Sequence, residues 1–290
     1  MRSTLRYNDR DIWPADPAFV DDFSRIGVDE CEHGVALYGG ILFPVLGHLL
    51  FESLSRLWPC LWLSHAGRWP MPVYFHHWPG LDMTEMRANP LYVQVFEALG
   101  IGFDAIRLID KPVGFNKLIV ANTASAYHMY LGVRMNDVFD RIVNSVVGEP
   151  AGAAANVQGR PTVFLSRSRW MENRRIQNES GLDDMMGGRR IRVVHTELMP
   201  PQELITMLAK AGTVISTDGS HAHLAVFCQP GTRIVMLDTR PVPTQFAIAA
   251  LRLFRTLHVP LFETDMFDPA RGITDFSLLD QAIGLALETL

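Results

Sequence analysis

A row of three polar side chains in an apolar segment is the first candidate for chemistry. His48, Glu52 and Arg56 stand four residues apart within residues 47–58, where most other side chains are apolar. Steps of four advance only about 40° around a 3.6-residue helix, so the segment predicts a helix with all three on one stripe. A carboxylate can orient an imidazole and raise its basicity, so His48 and Glu52 form a candidate catalytic pair, with Arg56 as a structural partner of Glu52.

Polar residues also follow the predicted strands of the second half. The runs 162–166, 191–195, 213–217 and 233–237 are short and apolar, and helical patterns at 178–186, 201–211 and 221–227 separate them. This alternation predicts βαβ units and a parallel sheet. Ligands bind outside the carboxyl ends of parallel strands. The residues at those ends are Ser166-Arg167, His195-Thr196-Glu197, Asp218-Gly219-Ser220-His221 and Asp238-Thr239-Arg240.

A basic loop after the first of these strands suits a phosphate. It contains Arg167 at the strand end, then Arg169, Arg174 and Arg175. Guanidinium groups match the geometry of phosphate oxygens. The alternative is a solvated charged loop. This alternative fits Arg167 least well, because Arg167 lies directly at the end of the strand. The pair Asn178-Glu179 that follows either caps the next helix or meets the ligand.

Gly219-Ser220 opens a helix after the third strand of this half. A glycine lets the backbone approach a ligand closely, and the N–H groups at a helix N-terminus favour an anion. The alternative is an ordinary strand-to-helix turn, capped by Asp218 or Ser220.

Composition narrows the class of protein. The 290 residues are 48% hydrophobic, the net charge is −5, and the three cysteines show no metal-type spacing. These values argue against a nucleic-acid-binding protein and against a disulfide scaffold. The N-terminal residues lack the apolar core of a signal peptide, so we expect a cytoplasmic protein. No Walker loop, G-x-S-x-G elbow, paired-aspartate metal motif or CxxC occurs, so no metal site is predicted.

The chain is predicted to contain two α/β domains. A Gly-, Ala- and Pro-rich stretch at 148–161 is the linker candidate, which divides the chain into domains 1–150 and 151–290. In the first half, strands are predicted at 35–38, 73–75 and 105–108. Helices are predicted at 45–58, 90–99 and 134–147, with further helices at 244–257 and 277–289. The last helix is expected to pack back on the first domain or to form an interface.

Three segments together resemble glycosyltransferase family 61, whose bacterial members are often capsular polysaccharide biosynthesis proteins. The first segment runs from Tyr38 through Gly47-His48, Glu52 and Arg56 to Trp58. The second has Ser166-Arg167, Arg174-Arg175 and Asn178-Glu179, and the third runs from Glu197 through Asp218-Gly219-Ser220-His221 to Leu237. One departure is Asp218-Gly219-Ser220, where many members have His-Gly-Ala, and this leaves the role of Asp218 open.

The resemblance implies an α/β, GT-B-like fold with two Rossmann-like domains facing a central cleft. Residues 1–150 would be the acceptor-side domain, and residues 151–290 the nucleotide-sugar-binding domain with closing C-terminal helices. The implied reaction is metal-independent, inverting transfer of a hexose or pentose, without a cofactor, from a nucleotide-sugar such as a UDP-linked sugar. The implied acceptor is a glycan or lipid-linked glycan in surface polysaccharide synthesis, and peripheral association with the inner face of the cytoplasmic membrane is left open.

An inverting transfer needs a base for the acceptor hydroxyl and groups that stabilise the leaving diphosphate. His48, oriented by Glu52, is the candidate base, and Asp218 is its rival. The residues expected to bind the donor substrate are Arg167, Arg174, Arg175, Asn178, Glu197, Gly219, Ser220, His221 and His223.

Two other functions remain open at this point, because one fold hosts many activities. The first is a non-catalytic protein of the same fold that binds nucleotides or glycans. The second is a hydrolase that uses Asp218 and His221 as acid and base. The donor sugar, acceptor, linkage and oligomeric state are not determined by the sequence.

Overall fold

Two parallel β-sheets form where the sequence alternates between short β-rich runs and helical patterns. The computed structural model describes residues 6–7, 10–11, 30–63, 69–126, 129–148, 159–169, 176, 178–238, 242–260, 272–273 and 275–289. In this part of the chain a four-stranded and a five-stranded sheet, both parallel, are combined with helices. The predicted mixed α/β class with parallel sheets is therefore confirmed.

The first half builds the four-stranded sheet in the order β3-β2-β1-β4. Its elements are β1 Glu30–Leu42, α1 Leu46–His48, a π-helical turn Leu49–Ser53, α2 Cys60–Leu63, β2 Val73–His77, α3 Met83–Ala88, α4 Pro90–Ala98, β3 Ile106–Ile109, β4 Val113–Val120 and α5 Arg134–Val147. A short turn Phe103–Ala105 precedes β3, and two-residue antiparallel pairs join Arg6–Tyr7 to Arg10–Asp11 and Ser125–Ala126 to Tyr130–Leu131.

The second half builds the five-stranded sheet in the order β6-β5-β7-β8-β9. Its elements are β5 Thr162–Ser166, α6 Glu179–Gly188, β6 Arg192–His195, a turn Thr196–Leu198, α7 Pro201–Lys210, β7 Thr213–Thr217, a 3₁₀ helix Ser220–Phe227, β8 Arg233–Asp238, α8 Pro243–Arg252, β9 Arg255–Pro260 and α9 Phe276–Thr289.

The central strands of the second sheet are buried on both faces, as expected of a parallel sheet. Val163 and Val214 point into one apolar cluster, while their chain neighbours Phe164 and Ile215 point into another. This alternation follows from the two-residue period of a strand. The carboxyl ends of the strands consequently meet at one edge, as the sequence predicts.

The larger apolar cluster contains residues of both halves. Leu50 and Phe51 from the first half share it with Leu224 and Phe227 of the 3₁₀ helix. The domain boundary between residues 150 and 151 stays a prediction, because most of the linker candidate lies outside the described residues.

A buried arginine also joins the two halves. Arg252 at the end of α8 is 1% exposed. Its Nη1 donates to Asp140 Oδ1 at 2.7 Å and to Asn136 Oδ1 at 3.1 Å, and its Nη2 donates to the carbonyl of Cys228 at 2.8 Å. The guanidinium group therefore bridges α5 of the first half and the segment that follows the 3₁₀ helix of the second.

Several predicted elements are corrected. The helix predicted at 45–58 is only α1 and the π-helical turn, and the helix predicted at 244–257 ends at Arg252. It ends there because Leu253 adopts the left-handed conformation, with a φ of 54°, after which β9 begins. Strands β4 and β9 are not predicted by the pattern, since both are edge strands with many exposed or half-buried residues.

Among the described residues, the buried side of the last helix packs on the second half, so the expected packing on the first domain is not what the structure shows. Its buried residues Leu279, Ile283 and Ala286 contact a cluster that includes Phe164 and Leu182. The apolar stripe of α9 thus covers the outer face of the second sheet. None of the helices in the described ranges is both long enough and apolar enough to cross a membrane.

Candidate active site

His48 and Glu52 contact each other, as the spacing predicts. Nδ1 of His48 forms a hydrogen bond with Oε2 of Glu52. The side chains are 18% and 30% exposed, respectively, so both are reachable from solvent. The ring of His48 also stacks on Phe43, with centroids 5.0 Å apart and an interplanar angle of 26°. The orientation of the imidazole is therefore fixed by Glu52 at Nδ1 and by Phe43 against one face of the ring.

The local backbone is not a regular α-helix. The N–H of Leu54 donates to the carbonyl of Leu49 at 3.1 Å, an i to i+5 bond that defines a π turn. Ser53 supports this turn, because its hydroxyl accepts from the N–H of Phe43 and donates to the carbonyl of Ile41, both at 3.0 Å. Such turns are frequent at functional sites.

The predicted pairing of Arg56 with Glu52 is wrong. Arg56 donates to the carbonyl of Ala121 and lies 5.7 Å from the ring centroid of Tyr38. The π-helical turn ends at Ser53 and non-helical turns follow at 54–56, so a spacing of four residues no longer brings Arg56 beside Glu52. Arg56 consequently joins this segment to the end of the first sheet.

On the second sheet, Arg167 lies at the carboxyl end of β5, as predicted. Its backbone N–H donates to Oε1 of Glu179 at 2.8 Å. An ideal β-carbon built on Gly219 would lie 2.7 Å from Nη1 of Arg167. The guanidinium group therefore lies directly against the backbone that opens the 3₁₀ helix Ser220–Phe227.

His221 approaches the same point from the other side. Its Nδ1 would lie 3.1 Å from a β-carbon on Gly219, and its Nε2 is 3.3 Å from the hydroxyl of Thr217. Burial, followed by the charge of Arg167 and by His223, holds the pKa of His221 well below its ordinary value. His221 is therefore neutral at physiological pH, and its Nδ1 has no hydrogen-bond partner among the described residues.

These groups together form an anion cradle, defined here as the Arg167 guanidinium, the Gly219-Ser220 backbone and the His221 ring. A guanidinium nitrogen and a buried ring nitrogen lie 2.7 and 3.1 Å from the position that a β-carbon on Gly219 would take, beside the N-terminus of the 3₁₀ helix. Such an arrangement favours a phosphate or diphosphate.

The two parts of the candidate site are joined by an aromatic contact. The rings of Phe51, in the π turn, and His223, in the 3₁₀ helix, meet edge to face with centroids 5.2 Å apart at 82°. Helix α1, which ends at His48, packs against the same 3₁₀ helix. The His48-Glu52 pair and the anion cradle are thus attached to elements that contact each other.

Asp218 directly follows β7 and is 3% exposed. Its backbone N–H donates to the carbonyl of Leu237 at 3.3 Å. Its carboxyl group is therefore far less accessible than that of Glu52.

The other predicted binding residues are placed in different ways. Both carboxylate oxygens of Glu197 are buried and make no hydrogen bond within the ranges described. The side-chain amide of Asn178 donates to the carbonyl of Ile273 at 2.7 Å and accepts the N–H of Ile273 at 2.8 Å. It does not cap α6. Arg174 and Arg175 lie outside the described residues.

A cluster of acidic residues beside Arg167 is not recognised in the sequence. Glu179 is 1% exposed, and burial raises its pKa; Arg167 opposes this shift, while Asp183 and Glu197 add to it. Asp183 accepts from the hydroxyl of Ser168 at 2.5 Å. In the sequence, Glu179 stands at the start of a predicted helix, and this position indicates a helix cap and not a contact with Arg167.

The comparisons with known proteins point to one family. The family model described as Glycosyltransferase 61 matches residues 46–235, a range that contains every predicted site residue. Among solved structures, the chain is similar to the dodecameric iron-containing heptosyltransferase TibC in complex with ADP-D-beta-D-heptose. The identity is 12% and the TM-score 0.30, over 86% of this chain and 69% of that one. No curated protein matches the chain.

Proposed function

This chain belongs to glycosyltransferase family 61 and is a glycosyltransferase, and we propose that it is an inverting, metal-independent one that uses a UDP-linked sugar. The acceptor in this proposal is a glycan or lipid-linked glycan of a surface polysaccharide such as a capsule, and the site of action is the cytoplasm. The observation that carries the proposal is the anion cradle, because a transferase that uses a nucleotide-sugar must bind and release a diphosphate.

His48 is proposed as the base that takes the proton of the acceptor hydroxyl. Glu52 holds Nδ1 of His48, so Nε2 is the nitrogen that would accept the proton. The oxygen of the acceptor would then attack the anomeric carbon as the bond to the diphosphate breaks on the opposite face, which inverts that centre. The Glu52 carboxylate would stabilise the imidazolium that forms.

Arg167 is proposed to stabilise the charge on the departing diphosphate. Its guanidinium can donate parallel hydrogen bonds to phosphate oxygens, and the backbone N–H groups of Gly219-Ser220 would add to them. His221, neutral and carrying its proton on Nδ1, would donate one more. These donors are held in place before the reaction, which is the condition for electrostatic stabilisation of a leaving group.

Accessibility favours His48 over Asp218 as the base. The side chain of His48 is 18% exposed, whereas Asp218 is 3% exposed. An acceptor hydroxyl could reach the first more readily than the second. A carboxylate at residue 218 would also repel the diphosphate if it faced the cradle.

Glu197, Asn178 and His223 complete the proposed donor site around the cradle. Glu197 would accept hydrogen bonds from donor hydroxyl groups, and His223 would connect the donor site to Phe51. Asn178 would act through its two bonds to Ile273, which fix the start of α6. Arg174 and Arg175 are proposed as further diphosphate contacts.

A thermal-shift panel tests the proposal directly. The protein is heated with UDP, GDP, CMP, dTDP and their common sugar conjugates, with and without EDTA. A ligand at about 100 times its dissociation constant stabilises the fold by about 2.7 kcal/mol. We expect selective stabilisation by UDP and a UDP-sugar that EDTA does not change, and the same ligands should stabilise the Arg167→Ala variant less. Equal melting temperatures with every nucleotide would refute the proposed donor site.

A further inference from the structure

Glu179 has features of a residue that holds another residue in place. It is the first residue of α6, it is 1% exposed, and its Oε1 accepts the backbone N–H of Arg167 at 2.8 Å. Its other carboxylate oxygen is buried and makes no hydrogen bond within the described part of the chain. Burying a carboxylate is costly unless a charge or a hydrogen bond compensates for it, and Arg167 supplies both here.

The hydrogen bond from Arg167 to Glu179 lies where the backbone direction at Arg167 sets the direction of its side chain. Arg167 is the first residue after β5, where the backbone leaves the sheet ladder. The next residue is held as well, because the N–H of Ser168 donates to the hydroxyl of Ser166 at 3.0 Å. With its backbone fixed at this place, Arg167 extends until Nη1 reaches the backbone of Gly219.

Two simpler roles explain Glu179 less well. An acidic residue in the first turn stabilises a helix through its dipole, but the hydrogen bond of Glu179 goes to the residue after β5 and not to α6. A direct contact with the donor diphosphate would place two negative charges together, which is unfavourable.

We infer that Glu179 is a positioning residue whose carboxylate holds the backbone of Arg167, so that the guanidinium group stays in the anion cradle. Glu179 acts on the ligand only through Arg167. The identity of that ligand as a nucleoside diphosphate rests on the proposed function, whereas the link between Glu179 and Arg167 does not.

The test compares Glu179→Ala with Glu179→Gln, whose side-chain oxygen can still accept the N–H of Arg167. Two measurements are made: hydrogen exchange of the Arg167 backbone amide, and calorimetric affinity for UDP and for uridine, which has no phosphate. Asp184→Asn, an exposed acidic residue of the same helix, is the control for the change in charge. Glu179→Asp, which shortens the side chain, replaces Glu179→Ala if that variant does not fold.

We expect Glu179→Ala to accelerate exchange at Arg167 and to weaken UDP binding about tenfold, the effect of one charge-assisted hydrogen bond. Uridine affinity should not change, and Glu179→Gln should retain the amide protection and most of the UDP affinity. Because Glu179 acts through Arg167, the double variant with Arg167→Ala should bind UDP no worse than Arg167→Ala alone. Equal losses for UDP and uridine, or additive losses in the double variant, would overturn the inference.

Failure of the proposed function gives a different result. In that case the wild-type protein binds no nucleoside diphosphate, and amide exchange alone decides about Glu179. Faster exchange at Arg167 in Glu179→Ala but not in Glu179→Gln would then support the inference, and unchanged exchange in Glu179→Ala would overturn it.

Discussion

The guanidinium group of Arg167 lies in the space that a side chain on Gly219 would need. A β-carbon there would be 2.7 Å from Nη1 of Arg167, closer than real contacts allow. The backbone of Gly219, with a φ of 135°, is also in a region that residues with a β-carbon rarely adopt. The backbone conformation therefore favours glycine at this point, and a side chain here would also have to displace the guanidinium group of Arg167 from the anion cradle.

Gly219→Ala should damage both stability and donor binding. Backbone strain of about 1–3 kcal/mol is expected, and the new methyl group would displace Arg167 from the cradle. Urea unfolding should show the loss of stability, and calorimetry with UDP should show the loss of affinity.

Gly187→Ala is the matched control for this substitution. Gly187 lies in α6, and a β-carbon there would meet no atom within 4 Å. Alanine in a helix is more favourable than glycine by roughly 0.5–1 kcal/mol, so this variant should be as stable as the wild type or more so, with unchanged UDP affinity. Similar losses in the two variants would contradict the role of Gly219.

His48→Ala should lower turnover by about 10²–10⁴ while leaving donor affinity nearly unchanged, because a general base acts on the acceptor in the transition state. Glu52→Gln should cause a smaller loss, since the imidazole keeps a hydrogen-bonding neighbour but loses its counter-charge. Initial rates with a UDP-sugar and a glycan acceptor measure both effects.

Asp218→Asn in the same assay separates the two candidate bases. If His48→Ala retains a near-normal rate and Asp218→Asn does not, the base is Asp218. Product analysis by mass spectrometry, which distinguishes an extended acceptor from free sugar, separates transfer from hydrolysis.

The depressed pKa of His221 should make the protein less stable in acid. In the unfolded chain His221 regains its ordinary pKa of 6.5, so below that pH the unfolded state binds more protons than the folded state. The free energy of unfolding should therefore fall as the pH is lowered below about 6.5, with a slope of at most about 1.4 kcal/mol per pH unit from this residue.

Chemical denaturation of the wild type and His221→Gln over a range of pH measures this effect. The difference between the two proteins should be constant above about pH 7 and should shift in favour of the variant as the pH falls. Glu179, whose pKa is raised, contributes an opposite slope below neutrality, but it is present in both proteins and cancels. Parallel curves down to about pH 5 would show that His221 is not kept neutral by burial.

Arg252→Met should destabilise the protein strongly. The substitution removes three hydrogen bonds from a buried guanidinium group that joins the two halves. Breaking a buried ion pair costs about 3–5 kcal/mol. Because Asp140 is partly exposed to solvent, we expect a loss near the lower end, about 3 kcal/mol. The midpoint of urea unfolding measures it.

Arg134→Met is the control for the loss of an arginine. Arg134 is 56% exposed, and its carboxylate partner Asp137 is 3.5 Å away at the surface. Exposed pairs contribute about 1 kcal/mol or less. A loss comparable to that of Arg252→Met would mean that burial does not set the strength of the Arg252 contacts.

The sequence predicts the second sheet more accurately than the first. Strands β5 and β7 occur at the predicted residues, because a buried parallel strand is a short apolar run that is easily recognised. The edge strand β4 was not predicted, since its mostly exposed or half-buried side chains do not form such a run.

The candidate site shows the same division. The contact between His48 and Glu52 follows from a local spacing of four residues and was predicted. The sequence does not predict the partner of Arg56, because the helix is replaced by a single π-helical turn that ends before this residue. The sequence favours a capping role for Glu179, since it does not show that the carboxylate accepts a hydrogen bond from Arg167.

Residue types and their spacing are sufficient to predict the α/β class, the polar ends of the strands, a strand-to-helix turn at Gly219-Ser220 and the resemblance to the family. These features depend on local periodicity and on residue type. The contacts between Arg167 and Gly219, between Glu179 and Arg167 and between Phe51 and His223 are visible only in the folded chain. Each of these contacts joins residues that are distant in the chain, and their geometry depends on how the sheets and helices pack.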